Sequence, residues 1–104
     1  MIAQTPTPPY YAVIFTSVKR PDDSGYSEMA KLMEELVVKQ PGYLGHESAR
    51  DGLGITVSYW DSLESIAAWK EVSLHKMAQK TGKERWYAHY SVRICRVEKA
   101  YEFP

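Results

Sequence analysis

A single cysteine stands in the 104 residues, so no disulfide can close within the chain, and a reducing cytoplasm is the expected setting. No sign of charge is in surplus: 13 basic residues balance 13 acidic ones, and neither forms a long run. Phosphate neutralisation by clustered Lys and Arg is therefore not on offer, and nucleic acid is not an expected partner. No apolar run approaches the roughly 20 residues that a membrane span needs, so no membrane contact is expected. The opening "MIAQTPTPPYY" lacks the basic-then-apolar pattern of a secretory signal. Neither GxGxxG nor GxxxxGK[ST] occurs, so nucleotide phosphates have no recognisable cradle. The histidines at 46, 75 and 89 show no HxxxH or HxH spacing, which argues against a metal site. No Ser-His-Asp set can be argued from spacing.

What is present suits one small domain. Hydrophobic residues make up 44% of the chain, enough for a core, yet a chain of this length buries only about two-thirds of its unfolded surface. A second subunit would add to that burial. Residues 1–9, "MIAQTPTPP", form a proline-rich arm without regular backbone pairing, expected to be extended or mobile. The single domain is expected over 10–104.

"YYAVIFTSV" (Tyr10 to Val18) is rich in β-branched and aromatic residues and predicts a strand. From Asp23 or Ser24 as N-cap, a helix is predicted to about Gln40. Tyr26, Met29, Met33, Leu36 and Val37 fall on one face of a 3.6-residue period, and Pro41-Gly42 stops the helix. "YLGHESAR" (Tyr43 to Arg50) and "GITVSYW" (Gly54 to Trp60) predict two strands of a hairpin turning at Asp51-Gly52. Asp61 with Glu64 has the reach of a capping box. The helix it opens would bury Leu63, Ile66, Ala67, Leu74, Met77 and Ala78, with a bend near Val72-Ser73. Gly82 interrupts, "KERWY" would add one turn, and "AHYSVRICRV" (Ala88 to Val97) is the last strand.

The order is β-α-β-β-α-β, an α+β, ferredoxin-like arrangement in which an antiparallel sheet carries both helices on one face. Alternation separates Ile55, Val57 and Tyr59 from Thr56, Ser58 and Trp60, and Tyr90, Val92 and Ile94 from His89, Ser91, Arg93 and Cys95. One face then reads as apolar and the other as mixed, carrying Trp60 and Cys95. A mixed face bearing an aromatic predicts a homodimer with sheets packed face to face. Cys95, within a strand, reads as a small buried hydrophobe.

With that order in place, "QPGYLGHESAR", "GITVSYWDSLESIAAWK" and "AQKTGKERWYAHYSVRICRVEKAYEF" resemble the antibiotic biosynthesis monooxygenase (ABM) family of the dimeric α+β barrel superfamily. The resemblance covers nearly the whole chain after the arm. It implies a ferredoxin-like protomer, a dimer joined through its sheets and a pocket between the sheet and the helices. Members of known activity oxygenate polycyclic phenols without metal or flavin, oxidise quinol-type compounds, or degrade haem, while others have no demonstrated reaction. The haem-degrading pattern of a first-strand Asn, a second-helix Trp and a His ten residues on is met here only by Trp69. Gln79 stands at the histidine position, and "YYAVIFTSV" holds no asparagine.

Cofactor-free oxygenation needs an apolar pocket, groups that stabilise a substrate anion and a base. His75, within the recognised segment, is the candidate base, with a surface or helix-capping histidine as the alternative. Trp69 and Trp86 would stack on a flat aromatic substrate or else close the core. Tyr59, Tyr87 and Tyr90 would orient a phenolic or quinone oxygen, or serve as structural strand tyrosines. Arg93 and His89 fall opposite Tyr90, where a dimer or solvent role is expected. His46 has no acidic or histidine neighbour at ligand spacing. No cofactor or metal is expected. The resulting expectation is a cofactor-independent monooxygenase acting with dioxygen on a small aromatic, quinol-like substrate. The alternatives are a non-catalytic ligand-binding dimer and, more weakly, a structural interaction module.

Overall fold

The computed structural model describes every residue except 23 and 81–85, and the backbone alone of 77–80. Six elements follow one another: β1 (Tyr10–Lys19), α1 (Tyr26–Val37), β2 (Tyr43–Asp51), β3 (Leu53–Trp60), α2 (Leu63–Lys80) and β4 (Tyr87–Val97). The four strands form one antiparallel sheet in the order β2-β3-β1-β4. This is the expected ferredoxin-like α+β architecture. Asp51 pairs with Leu53 across a turn at Gly52, whose φ of 78° glycine adopts without a Cβ penalty.

Both helix starts differ from the expected caps, and each difference has a packing cause. Gly25, at φ 83°, precedes α1, and no side chain caps it. Asp23 lies outside the described residues, and the Ser24 carbonyl instead accepts from the Trp86 indole N–H at 2.8 Å. A Cβ on Gly25 would stand 3.7 Å from that indole. The chain thus turns around Trp86, and a tertiary contact displaces a local cap. At α2 the cap is Ser62, whose Oγ accepts the Ser65 N–H at 3.1 Å. The Ser65 hydroxyl in turn donates to Asp61 Oδ1 at 3.0 Å. The predicted Asp61–Glu64 box is therefore replaced by a serine cap one residue later, the same chemistry in a shifted register.

α1 ends at Val37, short of Gln40, because the chain tightens there. Lys39 and Gln40 donate to carbonyls three residues back, at Leu36 and Val37, as in a 3₁₀ turn. α2 runs as one helix through Val72 and Ser73. Its buried face centres on Ile66 (5% exposed) and not on Leu63 (51%).

Strand register decides which side chains share a face, and it corrects one expectation. Tyr11 pairs with Trp60 and with Arg96, while Ala12 pairs with Tyr59 and with Cys95. Directly paired residues point the same way, so Trp60 shares a face with Tyr11, Val92 and Ile94, and Tyr59 shares the opposite face with Cys95. The expected grouping of Trp60 with Cys95 fails. Period-2 alternation divides each strand into two sets, but only the pairing matches the sets of neighbouring strands. Val37, Trp60 and Ile66 form the core, with Tyr11, Val13, Tyr43 and Trp69 packed against it. That set joins both helices to the Trp60 face, so the helices lie on one side.

The other side, here the outer face, is partly occupied by the N-terminal arm. The Ala3 N–H donates to Glu47 Oε2 at 2.9 Å, and the hydroxyls of Thr5 and Tyr10 are 2.9 Å apart. Beyond the arm the outer face stays open and apolar at Val18, Leu53 and Ile55. Cys95 is exposed there rather than buried, and His89 and Arg93 lie on the same face, opposite in direction to Tyr90.

Candidate functional site

Two features on the helix-bearing side, at opposite edges of the sheet, have the residue types for ligand chemistry. The first is an aromatic surface at the β1–β4 side of the sheet. Phe15 of β1 lies 5.4 Å from both Tyr87 and Tyr90 of β4, and Tyr26, the first residue of α1, meets Tyr87 edge-on at 5.9 Å. Such edge and tilted arrangements suit ring quadrupoles. The surface continues along β4 through Val92 and Ile94, which remain 49% and 53% exposed although they face the helices. Their side chains therefore present apolar area to whatever enters from solvent. The helix-facing positions of β3 before Trp60 are Gly54, Thr56 and Ser58, all smaller than the Trp60 that fills the end of the row. Burial, and then the neighbouring Tyr26 phenol, push the Tyr87 hydroxyl well above the usual tyrosine range. It is a protonated hydrogen-bond donor at neutral pH.

The second feature joins residues from β2 and α1. A register shift between Tyr43 and Gly45 inserts one extra residue in β2. In a regular strand, residues three apart point to opposite faces; the bulge turns Tyr43 and His46 to the same one. The Tyr43 hydroxyl then lies 2.5 Å from His46 Nδ1, and His46 Nε2 lies 3.8 Å from Glu34 Oε2 on α1. With a carboxylate beside Nε2, the proton of a neutral imidazole belongs on that nitrogen and the phenol donates to Nδ1. Burial first, and the Glu34 charge second, raise the Tyr43 pKa, so the phenol keeps its proton in this carboxylate–imidazole–phenol line. Tyr43 also meets Trp60 edge-on at 5.8 Å, and Trp60 stacks on Trp69 at 6.4 Å. The line is thereby braced against the core.

The residues singled out from sequence do not form one cluster. Tyr87 and Tyr90 lie together on the aromatic surface. Trp69 is half-buried and stacks on Trp60 against the core. Trp86 is 1% exposed with its indole N–H bound; its faces are spent on packing, not on ligand area. Tyr59 lies on the outer face, where its hydroxyl donates to Glu47 Oε1 at 2.7 Å. Burial and that carboxylate push its pKa up to about 12. With the Ala3 N–H on the other oxygen of Glu47, Tyr59 forms a clasp for the arm, remote from the helix-side surface. The clasp lowers the Glu47 pKa, chiefly through the phenol. His75 stands on the exposed side of α2. His46, passed over because Glu34 is twelve positions away, is the residue that sequence reasoning missed. The signal that was present is Gly45 inside a strand pattern, a recurrent mark of a bulge.

Among the described residues no group of three metal-ligating side chains converges, and no helix is long and apolar enough to cross a membrane.

Comparison with known proteins places this geometry. No protein-family model matches the chain. It is 50% identical over 100 residues to the uncharacterized protein YqjZ of Bacillus subtilis, covering 94% of this chain and 88% of that one. It is 25% identical over 92 residues to the jasmonate monooxygenase ABM of Pyricularia oryzae, covering 84% of this chain but only 43% of that protein. Among solved structures, SnoaB, a cofactor-independent oxygenase from Streptomyces nogalater, superposes with a TM-score of 0.71 at 7% identity, over 89% of this chain and 97% of that one. At that identity the match speaks for the fold alone. The chain belongs to the family of YqjZ, and its fold is the one seen in SnoaB.

Proposed function

We propose that the chain is a cofactor-independent monooxygenase that oxidises a small aromatic, quinol-like substrate with dioxygen. The observation that carries this reading is the open aromatic surface on the helix-bearing side of the sheet; a base-bearing line stands at the β2 edge of the same side. A flat substrate lies on Phe15, Tyr87, Tyr90, Val92 and Ile94. A base removes the proton of a phenol or an activated methylene. The resulting anion gives one electron to dioxygen, and the substrate radical and superoxide join as a carbon-bound peroxide. The peroxide takes back the proton. Loss of water leaves the carbonyl, so that a CH₂ and one O₂ become C=O and H₂O. The protein's share is to bind the anion, exclude water and hold the proton.

Two imidazoles can hold it. His46 has a phenol on one nitrogen and a carboxylate beside the other, partners that orient an imidazole, and it takes the proton where the substrate displaces the Tyr43 phenol from Nδ1; His75, supported by its place in the family segment, is the second. In an oxygen-consumption screen against hydroxylated anthrones and quinols, with haemin as a comparison, His46→Ala is expected to lower turnover roughly tenfold or more with an unchanged circular dichroism spectrum. His75→Ala is expected to lower it less. The reverse order assigns the base to His75. Absence of turnover on any compound, with thermal stabilisation by a flat aromatic, makes the protein a non-catalytic binder.

The working unit in this reading is a homodimer joined through the outer faces. Val18, Leu53 and Ile55 there are 41%, 50% and 42% exposed, apolar area that a facing copy would remove from water. Sedimentation velocity is expected to find a dimer at micromolar concentration and, for Ile55→Asp, a folded monomer. A wild-type monomer at that concentration removes this interface.

A further inference from the structure

One cation borders the aromatic surface in an arrangement that leaves it half used. Arg50, Gly54, Ser17 and Tyr90 lie in one row across β2, β3, β1 and β4. Gly54 has no side chain, and the Arg50 side chain crosses the space above it. A Cβ built on Gly54 would stand 2.2 Å from Nη2, 2.3 Å from Cζ and 2.7 Å from Nε. The near equality of the first two distances means that the flat face of the guanidinium rests on the glycine, so its edges point sideways. Ser17, 2% exposed, takes the end-on edge: Nη2 donates to its hydroxyl at 2.6 Å and Nη1 to its carbonyl at 3.4 Å. Nη1 also donates to the Gly52 carbonyl at 3.4 Å.

A guanidinium has five N–H donors in a fixed fork. Those three bonds leave Nε–H and one Nη2 hydrogen, which are neighbours on a single edge. Two parallel donors on one edge are the geometry that receives both oxygens of a carboxylate. No carboxylate of the described residues forms an ion pair with Arg50. The Tyr26 ring centroid is 5.9 Å from Cζ, and Lys19 Nζ lies 4.5 Å from the same ring. Tyr26 in turn touches Tyr87, the start of the aromatic surface.

We infer that Arg50 is the anchor of an anion site, and that the molecule bound on the aromatic surface is a small apolar acid whose carboxylate takes the free Nε/Nη2 edge. The inference rests on the reading that a flat ligand lies on that surface, and adds its chemical class. Lysine would not substitute: its ammonium is a point charge without the planar fork, and it could not hold Ser17 and a carboxylate at once.

The test uses the full chain and two isosteric probes, 2-naphthoate and its neutral analogue 2-naphthamide, with affinities measured by isothermal titration at low salt. The wild type is expected to prefer the acid by roughly tenfold or more, the range of a hydrogen-bonded charge pair. Arg50→Gln is expected to bring the acid to the level of the amide, with a far smaller change in amide binding. Gly54→Ala provides a second variant that retains the charge, because the new methyl displaces only the far end of a flexible side chain. It too is expected to erase the preference, and circular dichroism verifies the fold of both variants. Equal affinities in the wild type, or a preference that survives both substitutions, overturn the anion site and leave the aromatic site standing. Binding of neither probe overturns both.

Discussion

Replacing Trp60 by alanine is expected to lower the stability of the folded chain by about 3–5 kcal/mol, the usual cost of truncating a fully buried large aromatic. Trp60 is 0% exposed and sits where three elements meet. It packs edge-on to Tyr43 of β2, stacks on Trp69 of α2, and belongs to the core with Val37 of α1. Its indole N–H donates to Ser58 Oγ at 2.9 Å, so truncation also leaves that hydroxyl without its donor. Domains of this size have only about 5–15 kcal/mol in total, and the melting temperature should fall on the order of 20 °C. Trp60→Phe, which refills most of the volume, should recover most of the loss in urea titrations. A Trp60→Ala variant melting within a few degrees of the wild type would mean that the helices do not depend on this contact.

Gly42→Ala is expected to cost about 3 kcal/mol, out of proportion to one methyl group, because two penalties coincide. Its φ of 84° disfavours any side chain by about 1–2 kcal/mol. Its Cβ would also stand 2.2 Å from Ser65 Oγ and 2.3 Å from Asp61 Oδ1. Those atoms are the hydrogen-bonded start of α2, and a lost N-cap costs about 1 kcal/mol more. The Gly42 carbonyl accepts the Asp61 N–H at 2.9 Å, so the same residue ties the turn between α1 and β2 to the end of β3. Gly52→Ala separates the terms. Gly52 has a φ of 78° with nothing within 4 Å of a built Cβ, and its substitution should show the backbone cost alone, about 1–2 kcal/mol. Equal losses at the two sites would mean that the α2 cap yields freely.

The two variants mark the boundary between what local pattern carries and what it does not. Pro41-Gly42 was legible as a helix stop because a left-handed glycine after a helix is a local, backbone-level requirement. That the same glycine also seats the cap of a helix beginning twenty residues later follows only from the close approach of the two segments. Trp60 was legible as a strand residue, but alternation placed it with Cys95, and only the pairing with Tyr11 turned it to the helices.

The candidate site divides in the same way. Tyr90 was legible because an aromatic residue in the last strand must lie against something, and the helix side receives it; Tyr87 was expected in the turn before that strand, and β4 begins one residue earlier to include it. His46 was not legible as a partner of Tyr43, since a regular strand sends residues three apart to opposite faces. The bulge that reunites them, and the Glu34 carboxylate that α1 brings to them, arise from the packing of β2 under a helix. Arg50 gave no signal beyond standing beside a hairpin turn. Its orientation depends on an absent side chain at Gly54 and on a buried hydroxyl at Ser17, two residues on two other strands.

By itself the sequence determined the order of elements and the turns that separate them. Those rest on periodicity and turn chemistry, which act within a few residues along the chain. The tertiary structure alone decided which faces coincide, which histidine acquires a carboxylate and a phenol, and where a guanidinium keeps a free edge. These depend on strand register and on distances between segments remote in sequence, and neither is written in any local window.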